Sequence, residues 1–96
     1  MLRITTGEKE DSIVFSIEGR LCGAWADEAR GEWVRFRERV NGHPIVLDLA
    51  GLTYVDPAGE RLLAEILSTG ARVRSSGVLI SHIVDRVRTQ MTSKAG

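Results

Sequence analysis

Residues 45–59 read IVLDLAGLTYVDPAG, and this segment constrains the fold more than any other part of the chain. It opens with an apolar run, which predicts a central strand buried on both faces of a sheet. It closes with Asp56 and Pro57; Asp is a preferred N-cap, and Pro is favoured at the first helical position. The segment therefore predicts one strand, a tight junction at residues 56–59, and a helix, which is a unit of α/β folds.

The N-terminal part alternates between apolar and polar residues. The runs MLRIT and SIVFSIEG both alternate, and the polar stretch GEKED separates them. Alternation with a period of two indicates half-buried strands, and a short polar turn between two such strands is typical of a hairpin. We expect these two strands to pair antiparallel, with the first at the edge of the sheet.

Three later segments carry apolar residues at helical spacing. The first stripe begins after Gly23, the second follows Pro57 with Gly70 as its expected C-cap, and the third follows Ser76-Gly77. Apolar residues three or four positions apart line one helix face. The stripes are Trp25, Ala29, Trp33, Phe36 and Val40; Ala58, Leu62, Leu63, Ile66 and Leu67; and Ile80, Ile83, Val84, Val87 and Met91. The alternative for Trp25, at the start of its helix, is partial exposure as an anchor for a partner.

The resulting element order is β-β-α-β-α-β-α, with ARVR at 71–74 as the fourth strand. Right-handed crossovers make the last three strands parallel if they share a sheet. We therefore predict an α/β fold with a four-stranded, mostly parallel mixed sheet and about three helices. Residues 1–92 are expected to form a single domain, and residues 93–96 a flexible C-terminal tail.

Composition narrows the functional classes. The chain has 96 residues, with 13 Lys and Arg against 13 Asp and Glu, so its net charge is zero. A nucleic-acid binder normally shows a basic excess. Cys22 is the single cysteine, and the sequence shows neither a membrane-length apolar run nor a signal-peptide pattern. These features favour a cytoplasmic protein that neither binds nucleic acid nor spans a membrane.

Catalytic patterns are weak. His43 and His82 stand far apart, and no metal-ligand spacing is present, so no cofactor is expected. Asp48 and Asp56 interrupt apolar stretches, which favours hydrogen bonds to nearby backbone, since a buried carboxylate without partners is costly. The alternative is a carboxylate pair acting as acid and base, but no third group supports it. We therefore predict that the chain is not an enzyme.

The segment IVLDLAGLTYVDPAG resembles the signature of STAS domains, the fold shared by bacterial anti-sigma-factor antagonists and the tails of sulfate transporters. EGRLCG at 18–23 is similar to the short glycine-containing segment before the family's first long helix. The element order agrees with the family over nearly the whole chain. The matching positions within the signature are Asp48, Leu49, Gly51, Thr53, Asp56 and Gly59.

One departure from the family concerns phosphorylation. In the antagonists the second Ser of Asp-Ser-Ser-Gly is phosphorylated by a partner that is both anti-sigma factor and kinase. The resemblance places Ala58 at that position and Pro57 at the first Ser. Alanine has no oxygen to accept a phosphoryl group, so the usual switch cannot operate there. Thr53 and Ser68 carry nearby hydroxyls, but neither aligns with the phosphosite.

The resemblance implies a protein-interaction module whose partner is an anti-sigma factor or a related kinase-like ATPase. The expected partner-binding residues lie at the start of the second helix and on its side beyond: Asp56, Pro57, Ala58, Gly59, Glu60, Arg61 and Ala64. One alternative is an accessory subunit that binds the ATPase of an ABC-type lipid transporter. Another is a sensor of nucleotides or lipids. Residues 78–87 contain more apolar residues than one helix stripe requires, so a homodimer face is a further alternative.

Overall fold

A computed structural model of the chain describes residues 2–9, 11–40, 42–74 and 77–95, without the side chains of 78, 79 and 90–95. The strands are β1 (Leu2–Lys9), β2 (Ser12–Leu21), β3 (Ile45–Asp48), β4 (Leu52–Val55) and β5 (Arg72–Arg74). The helices are α1 (Gly23–Arg39), α2 (Pro57–Leu67) and α3 (Val78–Ala95). This mixed α/β architecture confirms the predicted fold class.

The sheet has the order β1-β2-β3-β5, and β4 also pairs with β2. β1 and β2 form the predicted antiparallel hairpin, with Leu2 opposite Gly19 and Lys9 opposite Ser12. β3 and β4 run parallel to β2, and β5 runs parallel to β3. The edge position of β1 and the parallel direction of the other strands are therefore confirmed.

The prediction of one strand over residues 45–56 is wrong in one respect. β3 lies beside the first half of β2 and β4 beside its second half, so the segment forms two strands, and the described residues form a sheet of five strands. The break has a local cause. The Ala50 N–H donates 2.9 Å to Asp48 Oδ1, and the Leu52 N–H donates 3.1 Å to the Leu49 carbonyl, which turns the chain out of the strand path.

A single apolar core lies between the sheet and the three helices. It joins Phe15, Ile17 and Leu47 from the strands to Trp33 of α1 and Ile66 of α2, all fully buried or nearly so. Val14 and Val46 are only half-buried and point away from this core, while Arg72 and Arg74 are exposed. Because the helices cover one face of the sheet, the expectation that the central strand is buried on both faces is also wrong.

Most of the predicted apolar stripes face the core. In α1, Ala29, Trp33 and Phe36 are buried and Val40 is half-buried, but Trp25 is 42% exposed. Trp25 lies in the first turn, and the neighbouring Ala26 takes the buried place instead. In α2, Ala58 is half-buried and the other four predicted residues are buried, as are the four described members of the α3 stripe. The side chain of Met91 lies outside the described residues.

The helix ends differ slightly from expectation. α2 ends at Leu67 with Ser68 as its C-cap, and Gly70 adopts a φ of 87° in the turn that follows. α3 begins at Val78, and its assigned range includes Ala95. Gly96 and the side chains of residues 93–95 lie outside the described part of the chain. The tail at 93–96 and the single domain at 1–92 stay predictions.

Candidate functional site

The candidate site is the junction between β4 and α2, and Asp56 organises it. The Gly59 N–H donates 2.8 Å to Asp56 Oδ1, so Asp56 is the N-cap of α2, as predicted. The Gly23 N–H donates 2.9 Å to Asp56 Oδ2, at the start of α1. The Asp56 N–H in turn donates 3.2 Å to the Leu21 carbonyl. One residue therefore ties together the end of β2, the start of α1 and the start of α2.

The N-terminus of α1 explains why this second bond forms. Its N-cap is Cys22, whose side chain makes no capping hydrogen bond, and its first turn contains no acidic residue. The first N–H groups of a helix lack partners within the helix and carry partial positive charge. Asp56 supplies both the missing acceptor and the negative charge. Gly23 adopts a φ of 52°, a conformation in which glycine is favoured over other residues.

These hydrogen bonds lower the pKa of the Asp56 carboxyl below its usual value of about 3.8. The N–H of Gly23 has the largest effect and the N–H of Gly59 the next, because both stabilise the charged form. Arg61 adds a smaller favourable charge. Asp56 is therefore ionised at neutral pH, and both of its oxygens are already occupied by backbone donors. Such a group is suited to fixing structure rather than to transferring protons.

Gly59 allows α2 to approach β2 closely. A Cβ built at Gly59 would lie 2.4 Å from the Leu21 carbonyl oxygen and 2.9 Å from Val55 Cγ1. Cβ atoms are not found at such distances, so a larger residue would push the helix start away from the sheet. The need for glycine here follows from packing, since Gly59 does not have a positive φ.

The predicted partner-binding residues differ in how exposed they are. Pro57 and Arg61 are exposed, and Ala58 is half-buried beside them. Gly59 is buried, and Ala64, expected on the exposed side, is half-buried against the core. Glu60 is also half-buried and forms a salt bridge with Arg86 of α3. The exposed part of the set is thus Pro57 and Arg61, next to the carboxylate of Asp56, and Ala58 lies beside them, half-buried and partly packed against the core.

The two carboxylates of the signature both bind backbone, as the simpler interpretation expected. Asp48 accepts from the Ala50 N–H within the turn after β3, and Asp56 accepts from two helix starts. His43 and His82 are exposed. Within the described ranges, no group of three or more His, Cys, Asp or Glu is placed to hold a metal ion.

Sequence reasoning missed three residues that shape this site: Gly23, Leu21 and Arg86. Gly23 and Asp56 are separated by 33 positions, and no local pattern links a glycine to a distant carboxylate. The absence of a capping side chain at Cys22 was the one available signal. Thr53 was named as a neighbouring hydroxyl; its Oγ1 donates 2.9 Å to the Gly19 carbonyl.

An aromatic residue stands near the same end of the sheet. The β2–β4 register shifts between Gly19 and Arg20, which places Tyr54 opposite Arg20. The Arg20 guanidinium carbon lies 4.9 Å from the centre of the Tyr54 ring, and Tyr54 is 44% exposed. Trp25 in the first turn of α1 and Tyr54 in β4 both leave aromatic surface accessible.

Comparison with known proteins agrees with this architecture. The family model described as STAS domain matches residues 3–94. Because the match covers nearly the whole chain, the protein belongs to the STAS domain family. Family membership supports a protein-interaction module. No curated protein is significantly similar to the chain in sequence.

Solved structures add information on the fold alone. The crystal structure of Mglu aligns with 76% of this chain at a TM-score of 0.56 and 22% identity, and the alignment covers 19% of the Mglu chain. Mglu in its native form aligns with 74% of this chain at a TM-score of 0.48 and 19% identity, over 22% of its own length. This chain therefore spans about a fifth of the Mglu structures it resembles.

Among the described residues, no helix combines the length and the apolar character needed to cross a bilayer.

Proposed function

We propose that this chain is a non-enzymatic STAS interaction module that docks on a regulatory protein through the start of α2. The docking residues are Pro57, Ala58 and Arg61, held in place by Asp56. The partner is an anti-sigma factor or a related kinase-like ATPase, the class that binds the family members whose signature this chain resembles. Binding is not switched by phosphorylation at position 58.

The observation that carries this proposal is the double hydrogen bonding of the Asp56 carboxylate. Because it bonds to Gly23 and to Gly59, the first turns of α1 and α2 are fixed relative to each other. A preorganised surface loses little conformational freedom on binding, and this favours affinity. Both carboxylate oxygens are occupied, so Asp56 itself is not free to act as an acid or a base.

The chemistry of the surface also supports docking. Pro57 and Ala58 present small apolar groups, and Arg61 adds an exposed cation one turn further along α2. Trp25 lies close in sequence to Gly23 and is 42% exposed. Tryptophan and arginine are enriched among residues that dominate protein–protein binding energy. The surface suits a partner that combines an apolar contact with a carboxylate for Arg61.

Regulation by a neighbouring hydroxyl has less support at this surface. The hydroxyl of Thr53 donates to the Gly19 carbonyl, and the hydroxyl of Ser68 donates 2.6 Å to the Glu65 carbonyl at the other end of α2. Ala58 is the position where the resemblance expects the phosphoryl acceptor, and its methyl group cannot serve. We infer that the module binds constitutively or is controlled through its partner.

Affinity purification of the tagged chain from its native host, followed by mass spectrometry, tests the proposal. We expect recovery of a kinase-like ATPase or another protein of a sigma-factor pathway. Recovery dominated by an ABC-type ATPase would instead identify an accessory transporter subunit. Thermal-shift screening against nucleotides and fatty acids addresses the remaining alternative, since a ligand sensor would be stabilised by its ligand.

A further inference from the structure

β1 presents an open edge of the sheet on the side away from β2. It is eight residues long and pairs with β2 in a continuous register from Leu2 to Lys9. Among the described residues no other strand pairs with it. Natural edge strands are commonly protected by proline, bulges, short length or charged side chains, and of these β1 has the charges of Arg3, Glu8 and Lys9. β1 has no proline and no bulge, so the outward N–H and C=O groups of alternate residues remain available to another strand.

A groove runs along this edge between β1 and α1. It has a volume of about 490 Å³ and is lined by Leu2, Ile4, Asp27, Glu28, Gly31, Glu32 and Arg35. Leu2 and Ile4 are half-buried and form its apolar floor. The wall comes from one side of α1, adjacent to the stripe that packs into the core. A strand added to β1 would direct every second side chain into this groove.

Gly31 lies in the wall of the groove and has no internal packing reason to be glycine. A Cβ at this position would lie 3.7 Å from Arg35 Nη1, an ordinary contact, and Gly31 does not have a positive φ. Glycine in the middle of a helix costs roughly 0.5 to 1 kcal/mol relative to alanine. Without a Cβ at Gly31, this part of the wall stays low where it lines the same groove as Leu2 and Ile4, and the side chain of Arg35 lies beside it.

The groove wall is acidic. Glu32 is neutralised by Arg35, whose Nη2 lies 2.6 Å from Glu32 Oε1. Asp27 and Glu28 are exposed, and within the described residues neither belongs to an ion pair. Two uncompensated carboxylates therefore stand beside the free strand edge. This favours a cationic occupant, because complementary charge steers association and selects partners.

The geometry points to a second docking surface, at which a basic, extended segment of a partner protein adds to β1 as a further strand. Of the side chains that this segment directs into the groove, every other one is Lys or Arg and lies opposite Asp27 or Glu28. The side chains between them are apolar, and one of these lies beside Gly31. Asp27 and Gly31 are about 6 Å apart along the helix axis. Successive groove-facing residues of a strand are about 7 Å apart, so the two spacings match.

This mode of recognition combines main-chain hydrogen bonds along a sheet edge with side-chain pockets that give specificity. It is separate from the docking surface at the start of α2, so either surface can be tested without the other. A second copy of this chain is a poorer occupant. An antiparallel β1–β1 pair would bring the acidic walls of two α1 helices toward each other across the two-fold axis.

Two nine-residue peptides test the inference on the full chain. In both peptides, Thr occupies every second position. The remaining positions alternate between Lys and Val in the first peptide and between Glu and Val in the second. In ¹H–¹⁵N spectra we expect the Lys peptide to shift β1 and α1 amides with a Kd of roughly 0.1 to 1 mM. It should also slow hydrogen exchange in β1. The Glu peptide should bind at least about tenfold more weakly, because opposite charges attract and like charges repel across the groove.

Paired variants locate the contact. Gly31→Leu fills the groove and should weaken binding about tenfold or more, whereas Val34→Leu adds bulk at an exposed α1 position outside the groove and should leave it unchanged. Glu28→Lys should weaken binding about fivefold and remove the preference for the Lys peptide. Glu38→Lys makes the same charge change elsewhere on α1 and serves as its control.

Several results would overturn the inference. These are equal binding of the two peptides, no binding at millimolar concentration, shifts confined to β5 or the open sheet face, or equal effects of Gly31→Leu and Val34→Leu. Sedimentation without peptide provides the remaining check. Dimerisation accompanied by concentration-dependent protection of β1 amides would show that a second copy occupies the edge, contrary to the inference.

Discussion

The Gly23 N–H donates a hydrogen bond of 2.9 Å to Asp56 Oδ2, which joins the start of α1 to the start of α2. The other oxygen of the same carboxylate accepts 2.8 Å from the Gly59 N–H. A residue that a local sequence pattern identifies as a helix cap thus also serves a second helix. The surface around Pro57 and Ala58 depends on this shared carboxylate.

Replacing Asp56 should destabilise the fold by an amount that depends on how many of its hydrogen bonds are lost. Asp56→Ala removes both hydrogen bonds and should lower Tm by roughly 5 to 10 °C. Asp56→Asn keeps an oxygen for Gly59 but turns an NH₂ group toward the Gly23 N–H, so its Tm should lie between those of Asp56→Ala and the wild type. Thermal unfolding followed by circular dichroism measures these values. Asp85→Asn, at an exposed α3 position, is the control; a Tm for Asp56→Ala equal to that of this control would contradict the account.

The stability of the wild type should fall with acid in a way that depends on Asp56. Its pKa is lower in the folded state than in the unfolded chain, chiefly because of the Gly23 N–H bond. The unfolded state therefore takes up the proton first as the pH falls. The contribution of Asp56 is complete well above pH 3.8 and is lost as the pH falls through the folded-state pKa.

Urea unfolding at a series of pH values measures this effect. Between about pH 5 and pH 3, the difference in stability between the wild type and Asp56→Asn should shrink, because Asn does not titrate. At neutral pH the difference should be constant. A difference that stays the same throughout the acid range would show that Asp56 has the same pKa in both states.

Two glycine-to-alanine substitutions should change stability in opposite directions. Gly59→Ala places a Cβ 2.4 Å from the Leu21 carbonyl oxygen, and the resulting shift should cost about 1 to 3 kcal/mol of unfolding free energy. Gly31→Ala places its Cβ 3.7 Å from Arg35 Nη1 and should stabilise the chain by up to about 1 kcal/mol. Chemical denaturation measures both. Equal values would mean that α2 does not approach β2 as closely as described.

Introducing the missing hydroxyl should restore a phosphorylation site. Ala58→Ser places an acceptor in the position where the resemblance expects one, beside the N-terminus of α2, and the ATPase recovered as partner should phosphorylate it. The added charge of about −2 beside the ionised Asp56 should then weaken binding. Phosphopeptide mass spectrometry detects the product, and Ala24→Ser, in the first turn of α1, is the control. If the Ala58→Ser variant stays unmodified, the α2 start has another use or serves only to cap the helix.

The fold was largely predictable because its elements carry strong local signals. Alternation marked β1 and β2, and Asp56 with Pro57 marked the start of α2, since capping depends on adjacent residues. The break after Asp48 was missed because an Asp in a strand and an Asp that turns the chain look alike in sequence. Helical spacing predicts Trp25 in the core, wrongly, because it cannot tell a first-turn position from an interior one.

The site was less predictable because its defining contacts are long-range. The bond from Gly23 to Asp56 and the clash that restricts Gly59 both join segments that meet only in the folded sheet. Fewer of the predicted partner-binding residues are free at the surface than expected, since Ala64 packs against the core and Glu60 pairs with Arg86.

A site-directed affinity purification tests whether the start of α2 binds a regulatory protein. Tagged wild type, Ala58→Glu and Val34→Glu would be purified from the native host and their partners quantified by mass spectrometry. Ala58→Glu places a charged side chain in the docking surface, while Val34→Glu introduces the same residue at an exposed α1 position away from it.

We expect a kinase-like ATPase or another sigma-pathway protein to co-purify with the wild type and with Val34→Glu. Its recovery with Ala58→Glu should fall at least about tenfold, as for the loss of a binding hot spot. Equal recovery with all three proteins, or a partner set without any such protein, would contradict the account.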